Sequence, residues 1–200
     1  MSDIEWVDSY VVGTLSNGIS HAVVMLSEHK DFKEICPESI KVYQIYIGRR
    51  EAEQIEYYQQ LLHGDFKSEE ELLIRPTTID LICESFIAFT GFVHKPGRIE
   101  VIDARIDSVV SESDNDGIFT AKLVLELELE NQYCEAILDA RPSDVIAITL
   151  GQRIKGAKTQ LRINKAVLDA MPDIGDAQQG ERTLRDVAYE IIARPTRLEG

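Results

Sequence analysis

The sequence predicts an α+β fold: a mainly antiparallel β-sheet packed by about three helices, with an amphipathic helix added near the C-terminus. Three observations predict it. Two β-branched stretches flank the turn dipeptide Asn17-Gly18, as in a hairpin. Residues 118–130 alternate almost strictly between apolar and charged side chains. Apolar residues recur at helical spacing after Gly48 and again after Pro142.

Taken in order, residues 4–15 and 21–27 read as the hairpin strands, carrying Val11-Val12 and Ala22 to Leu26. A third strand over 40–47 sets Val42, Gln44 and Tyr46 against Tyr43, Ile45 and Ile47. Gly48 ends it, and Ala52, Ile55, Tyr58 and Leu62 mark one apolar face of a helix near 50–63, with Gly64 as its stop. Residues 67–74 are acidic and loop-like. A helix near 77–90 follows, with Thr77 and Asp80 spaced as a capping box and Ile79, Ile82, Cys83, Phe86 and Ile87 on its core face.

Residues 98–110 read as a strand, and 118–130 as a long half-buried antiparallel one. In the second, Phe119 to Leu129 line the core side, and Lys122, Glu126, Glu128 and Glu130 a solvated one. Asn131-Gln132 turns the chain into a strand over 133–139, which runs straight into a helix near 142–152. Pro142 suits a first helical position, because its missing N–H is not needed there and its φ is already helical. The run after Asp144 is almost wholly apolar, so this helix is expected to be buried on most sides. Gly151 and Gly156 then bracket a basic loop with Arg153, Lys155 and Lys158. A short strand over 160–163 follows, and Asn164 caps a helix over 165–171. Residues 172–180 have linker composition, and 182–193 form the amphipathic helix, which must dock on its own domain, a sister subunit or another protein. Residues 1–172 therefore read as one domain and 173–200 as a linker with a helical extension.

A weak internal duplication is suggested. Residues 43–62 and 135–153 both run strand, tight turn, charged first helical turn and apolar helix. If the two junctions are related by a pseudo-twofold, Glu51 falls near Asp144.

Composition bounds the function. The net charge is −14, from 35 acidic and 21 basic residues, and no basic stripe is visible, so a passive DNA-binding module is disfavoured. No apolar run approaches the ~20 residues of a membrane span, and the N-terminus carries neither a basic region nor an apolar signal core. A cytoplasmic protein with no membrane partner is expected. Cys36, Cys83 and Cys134 lie far apart and the four histidines are scattered, so buried reduced thiols are expected rather than disulfides or a zinc site. No phosphate-cradling Gly-rich loop, Gly-x-Ser-x-Gly elbow or His-Glu-x-x-His helix occurs, and no organic cofactor is expected.

The chemistry gathers at Asp139, Arg141, Ser143 and Asp144, at the mouth of what reads as a buried strand–helix junction. The run Leu138-Asp139-Ala140-Arg141-Pro142-Ser143-Asp144-Val145-Ile146-Ala147 resembles a motif of the bifunctional nuclease domain family. Ile47-Gly48-Arg49-Arg50-Glu51-Ala52 and Arg75-Pro76-Thr77-Thr78-Ile79-Asp80-Leu81 resemble two further family segments, in the family's order, with Ile79 where the family usually has histidine. The resemblance spans roughly residues 5–172. It implies a metal-dependent nuclease (a phosphodiester hydrolase) acting on DNA and RNA, and a homodimer.

Such chemistry needs carboxylates to hold Mg²⁺ or Mn²⁺ and a cation to steady the added phosphate charge. The catalytic candidates are Asp139, Arg141, Ser143, Asp144 and Glu51, and the metal candidates Asp139, Asp144 and Asp80. A purely structural reading stands beside this one. Arg141 paired with Asp139 or Asp144, and Ser143 with Asp144 serving free N–H groups of the helix, would make the motif a folding device. Two other functions stay open: a non-enzymatic dimeric scaffold or regulatory protein-binding module, and a small-anion site at the helix N-terminus.

Overall fold

The computed structural model describes residues 4–16, 21–27, 40–63, 82–83, 97–111, 117–129, 132–179 and 181–193. The strands are β1 (Trp6–Ser16), β2 (His21–Ser27), β3 (Val42–Gly48), β4 (Gly97–Ser111), β5 (Gly117–Leu129), β6 (Gln132–Ala140) and β7 (Gln160–Asn164). They form one seven-stranded sheet in the order β3-β2-β1-β7-β4-β5-β6. Each neighbouring pair is antiparallel except β4 with β7. The architecture is α+β, as the alternation and hairpin signals predict.

Helices α1 (Arg49–His63) and α2 (Pro142–Ile154) pack on each other and on one face of the sheet. Ile55, Tyr58, Val145, Ile146, Ala104, Ile106 and Ile163 are all essentially inaccessible to solvent. Helix α2 is buried from Val145 to Gln152, as its apolar run requires. It also runs past the expected end. Gly151 lies inside it, where a β-carbon would stand 3.0 Å from the Cys83 sulfur and 3.7 Å from the Tyr58 ring. Gly156, with φ of 85°, ends the helix instead, and its N–H and that of Ala157 return to the carbonyls of Arg153 and Gln152. Of the helix expected near 77–90, only Ile82 and Cys83 belong to the described residues, and both are helical. The acidic segment 67–74 and the stop at Gly64 lie outside them.

The sheet is not flat. Six inter-strand steps of about 4.8 Å would set its two edges about 29 Å apart. Yet the residues that follow the edge strands β3 and β6 touch, as shown below. Register shifts occur in β1 and, twice, in the pairing of β4 with β5, between Val101 and Asp103 and between Ile106 and Ser108. The first residues of β1 pair with β7, its later ones with β2, and its register slips between Val11 and Gly13. Gln59 of α1 donates to the Val11 carbonyl at 3.1 Å, anchoring the helix at that bulge.

The C-terminal segment answers where the amphipathic helix docks. After α3 (Lys165–Ala170), capped by the Asn164 side chain on Ala166 N–H, comes the stretch of linker composition. It is pinned: the Asp173 carboxylate accepts from Val42 N–H at 3.0 Å, and Ile174 N–H donates to the Val42 carbonyl at 2.8 Å. A two-residue ladder, β8 (Gln178–Gln179) with β9 (Arg182–Thr183), leads into α4 (Leu184–Ala193). Thr183 and Asp186 form a capping box, each side chain bonded to the other's N–H. Leu184 and Ala188 of α4 then bury against Val12, Ile40 and Val42, a second core on the far face of β1 and β3. This explains why Val42 and Tyr43, on opposite faces of one strand, are both buried.

Two expectations are corrected. The strand that feeds α2 is not buried: β6 is the sheet's terminal strand, exposed along most of its length, because no described strand pairs beyond it. Cys134, on β6, is an exposed free thiol, while Cys83 is buried as expected. Cys36 lies outside the described residues. No described helix is long and apolar enough to cross a membrane.

Candidate active site

The site forms where the two strand–helix junctions meet. At the second, Arg141 has extended backbone (φ −79°, ψ 150°) and stands at the N-cap of α2. Its carbonyl takes the N–H groups of Asp144 and Val145, both at 3.1 Å. Its side chain makes no cap bond and turns outward instead. The guanidinium binds Asp144 in a fork, Nε to Oδ2 and Nη2 to Oδ1, each at 2.8 Å. A third bond, from Nη1 to Glu51 Oε1 at 3.2 Å, reaches the first junction across 90 positions of sequence. The hydrogen bonds and charge of Asp144, with those of Glu51, hold the Arg141 guanidinium above its ordinary pKa.

Glu51 is placed by Gly48. A β-carbon on Gly48 would stand 2.2 Å from Glu51 Oε2, so the carboxylate folds back over a position that only glycine leaves open. Arg141 thus joins the first turns of α1 and α2, and the proximity of Glu51 to Asp144 that the duplicated pattern implies is present.

Beside this triad lies a cleft of about 340 Å³, lined by Ile45, Tyr46, Ile47, Gly48, Glu51, Phe119, Arg141, Pro142 and Ser143. Ser143 is only 7% exposed, and its hydroxyl bonds no described residue. Of the structural reading, the Arg141–Asp144 pair forms, whereas no bond from the Ser143 or Asp144 side chain to a free N–H of the helix is seen among the described residues. Tyr46, 64% exposed, supplies an aromatic wall. Sequence reasoning missed Tyr46 and Phe119, which come from separate strands; the outward position of Tyr46 in the β3 alternation was the available signal.

Asp139 is not in this group. It pairs in register with Lys122, on the sheet face away from α1 and α2, and adds to the field that Asp107 sets on Lys122. Asp107 itself binds Lys122 at 2.6 Å and is the chief reason the lysine's pKa is raised. Asp80 and Ile79 lie outside the described residues. Among the described residues no three metal-ligating side chains converge.

That same face holds a cluster the sequence did not announce. Asp103, 2% exposed, accepts from Arg105 Nε at 2.5 Å and Arg162 Nε at 2.8 Å, and Arg162 Nη2 bonds it as well. The Asp103 bond raises the Arg162 pKa. Arg105 also lies over the Trp6 ring, 5.3 Å from its centre. With its oxygens occupied by two guanidiniums, Asp103 is a structural tie between β4 and β7.

Residues 36–171 match the bifunctional nuclease domain. The chain belongs to the bifunctional nuclease domain family. The matched stretch holds both junctions of this family member, Gly48-Glu51 and Arg141-Asp144, and thus the whole Arg141 triad. It leaves out β1, β2 and the segment from Asp173 to α4 that closes over β3. A search of curated proteins finds no match.

Proposed function

We propose that this bifunctional nuclease domain protein is a phosphodiester hydrolase acting on DNA and RNA at the Arg141 cleft. The observation that carries the reading is the bridge from Arg141 to Glu51 and Asp144 at the rim of a cleft lined by Ser143. Arg141 is the cation that would steady charge gathering on a phosphoryl group. Ser143 offers a hydroxyl to orient a phosphate oxygen or the attacking water. Tyr46 gives a face on which a base can stack.

Glu51 and Asp144 are the carboxylates that would hold a hard divalent ion, exchanging bonds they now make to Arg141. Mg²⁺ commonly takes one or two protein carboxylates and completes its shell with water and phosphate oxygens. Bound there, Mg²⁺ or Mn²⁺ would supply an activated water and screen the phosphate. Asp139, on the other face of the sheet, has no part in this arrangement. The protein would act in the cytoplasm, where metal ions at the carboxylates would offset part of the repulsion between its −14 charge and a nucleic acid.

The test is cleavage of single-stranded DNA and RNA with Mg²⁺, Mn²⁺ or EDTA, by the wild type, Asp144→Ala and Glu51→Gln, each checked for folding by circular dichroism. Chelator-sensitive cleavage that falls at least tenfold in both folded variants supports the reading. Equal cleavage by all three proteins would move the chemistry elsewhere. The acidic charge and the neutralised Arg141 favour a second reading, a dimeric scaffold, which absence of cleavage under every metal would support.

A further inference from the structure

The sheet parts where β1 changes partner. Trp6 to Ser9 pair with β7, which begins at Gln160, and from Tyr10 onward β1 pairs with β2 instead. A cleft of about 320 Å³ opens in that fork, lined also by the last turn of α2 and the loop after it. Its volume lies at the lower end of the ~300–1,000 Å³ of small-molecule pockets. The Arg141 cleft stands at the other end of the same helix, about 17 Å away from Pro142 to Arg153 at 1.5 Å per residue.

Two kinds of group line the fork. Arg153 and Lys158 bring positive charge, and among the described residues neither makes a hydrogen bond or ion pair. Arg105, Lys122, Arg141, Arg162 and Arg185, by contrast, are each held by a carboxylate. Arg153 also suits the C-terminal end of α2, but Lys158 lies past the Gly156 turn and has no such role. Asp8, the one acid of the lining, is in register with Arg162 and so shares that arginine's face of the sheet, away from α2. The second kind is a set of buried hydroxyls, Ser9, Thr149 and Thr159. Their hydrogens are already given to the carbonyls of Val7 at 3.4 Å, Val145 at 2.8 Å and Val101 at 2.8 Å. A hydroxyl has one hydrogen and two lone pairs, so what these three keep for a ligand is acceptor capacity.

We propose that this cleft binds a small phosphorylated sugar, the class that includes mononucleotides, with Arg153 and Lys158 on the phosphate and Ser9, Thr149 and Thr159 on the sugar hydroxyls. A phosphate monoester carries about −1.5 to −2 charges at neutral pH and so matches two cations, which a single carboxylate does not. The forked guanidinium takes its oxygens in pairs, and the ammonium adds a point charge. A long nucleic acid is disfavoured at this cleft by the net charge of −14. Binding here does not depend on whether the Arg141 cleft cleaves nucleic acid.

The experiment is isothermal titration of the full chain with ribose 5-phosphate, and in parallel with ribose, inorganic phosphate and adenosine 5′-monophosphate. Ribose 5-phosphate is expected to bind at least tenfold more tightly than ribose or inorganic phosphate. Lys158→Ala and Arg153→Gln, each checked for folding by circular dichroism, should weaken it at least tenfold, and Lys158→Arg should restore most of the affinity. Ser9→Ala should weaken ribose 5-phosphate but not inorganic phosphate, because it removes an acceptor and spares both cations. Glu51→Gln, at the other cleft, should leave binding unchanged. Tighter binding of adenosine 5′-monophosphate than of ribose 5-phosphate supports a nucleotide site; equal or weaker binding supports a sugar phosphate site that reads no base. Absence of binding by both at millimolar concentration overturns the inference. So does binding that ribose or inorganic phosphate matches, or that survives both cation variants. Loss of binding in folded Glu51→Gln overturns it too, by placing the ligand in the Arg141 cleft.

Discussion

Arg141 sets the charge balance of the cleft, and the residues around it divide by how they reach it. Asp144 and Ser143 are its sequence neighbours, so one short motif exposes them. Glu51 is 90 positions away, and only the repeated strand–turn–helix pattern points to it. Tyr46 and Phe119 reach the cleft through strand placement, which no local pattern encodes. Asp103 was equally illegible: a single acid in a strand reads as solvated until its partners, Arg105 and the distant Arg162, are brought in by β7. Gly48 separates positioning from folding. Gly48→Ala is compatible with the backbone, so chemical denaturation should show stability within about 1 kcal/mol of wild type. Its methyl group nevertheless evicts the Glu51 carboxylate from its seat, and cleavage should fall as far as in Glu51→Gln. Asp103→Ala should behave in the opposite way. It leaves two guanidiniums facing a buried gap, which should cost about 3 kcal/mol in urea denaturation while sparing cleft chemistry in the folded fraction.

Among the elements, the two buried-face signals read correctly were the alternation of β5 and the apolar run of α2. The misreading of β6 has a simple cause. Ala136-Ile137-Leu138 is a continuous apolar run, and such a run looks the same whether the strand is covered on both sides or lies at the end of a sheet. The segment from Asp173 to α4 shows the reverse problem, since a linker composition hid a clasp. Burial alone would push the Asp173 carboxyl up. The Val42 and Gly175 N–H groups and the Arg185 guanidinium outweigh it and hold the carboxyl below its usual range. A depressed folded-state pKa means that the stabilisation is fully present above the unfolded value near 3.9 and is lost as pH falls through the folded one. Amide exchange should accordingly report loss of protection in residues 173–193 below about pH 4, ahead of the α1–α2 core. In Asp173→Asn that acid-dependent step should vanish and the segment should exchange faster at neutral pH.

For the molecule as a whole, the curl of the sheet is the decisive feature and the one least visible in sequence. The hairpin, the strands and the helices are each written in short-range patterns. Bringing the two ends of a seven-stranded sheet to a shared cleft goes with register shifts in β1 and between β4 and β5, and with α1 and α2 packed together on one side. Since Arg141 meets Glu51 only once that curvature exists, the triad reports a completed fold.

The clasp at Val42 has a bearing that reaches past α4. Removing residues 173–193 would free the Val42 N–H and carbonyl and uncover Val12, Ile40 and Val42 at once. The shortened protein should therefore bind more of a dye that reports apolar surface than the intact chain does. In this light that segment is a cover plate, seated on an apolar sheet face that the core of the domain leaves bare.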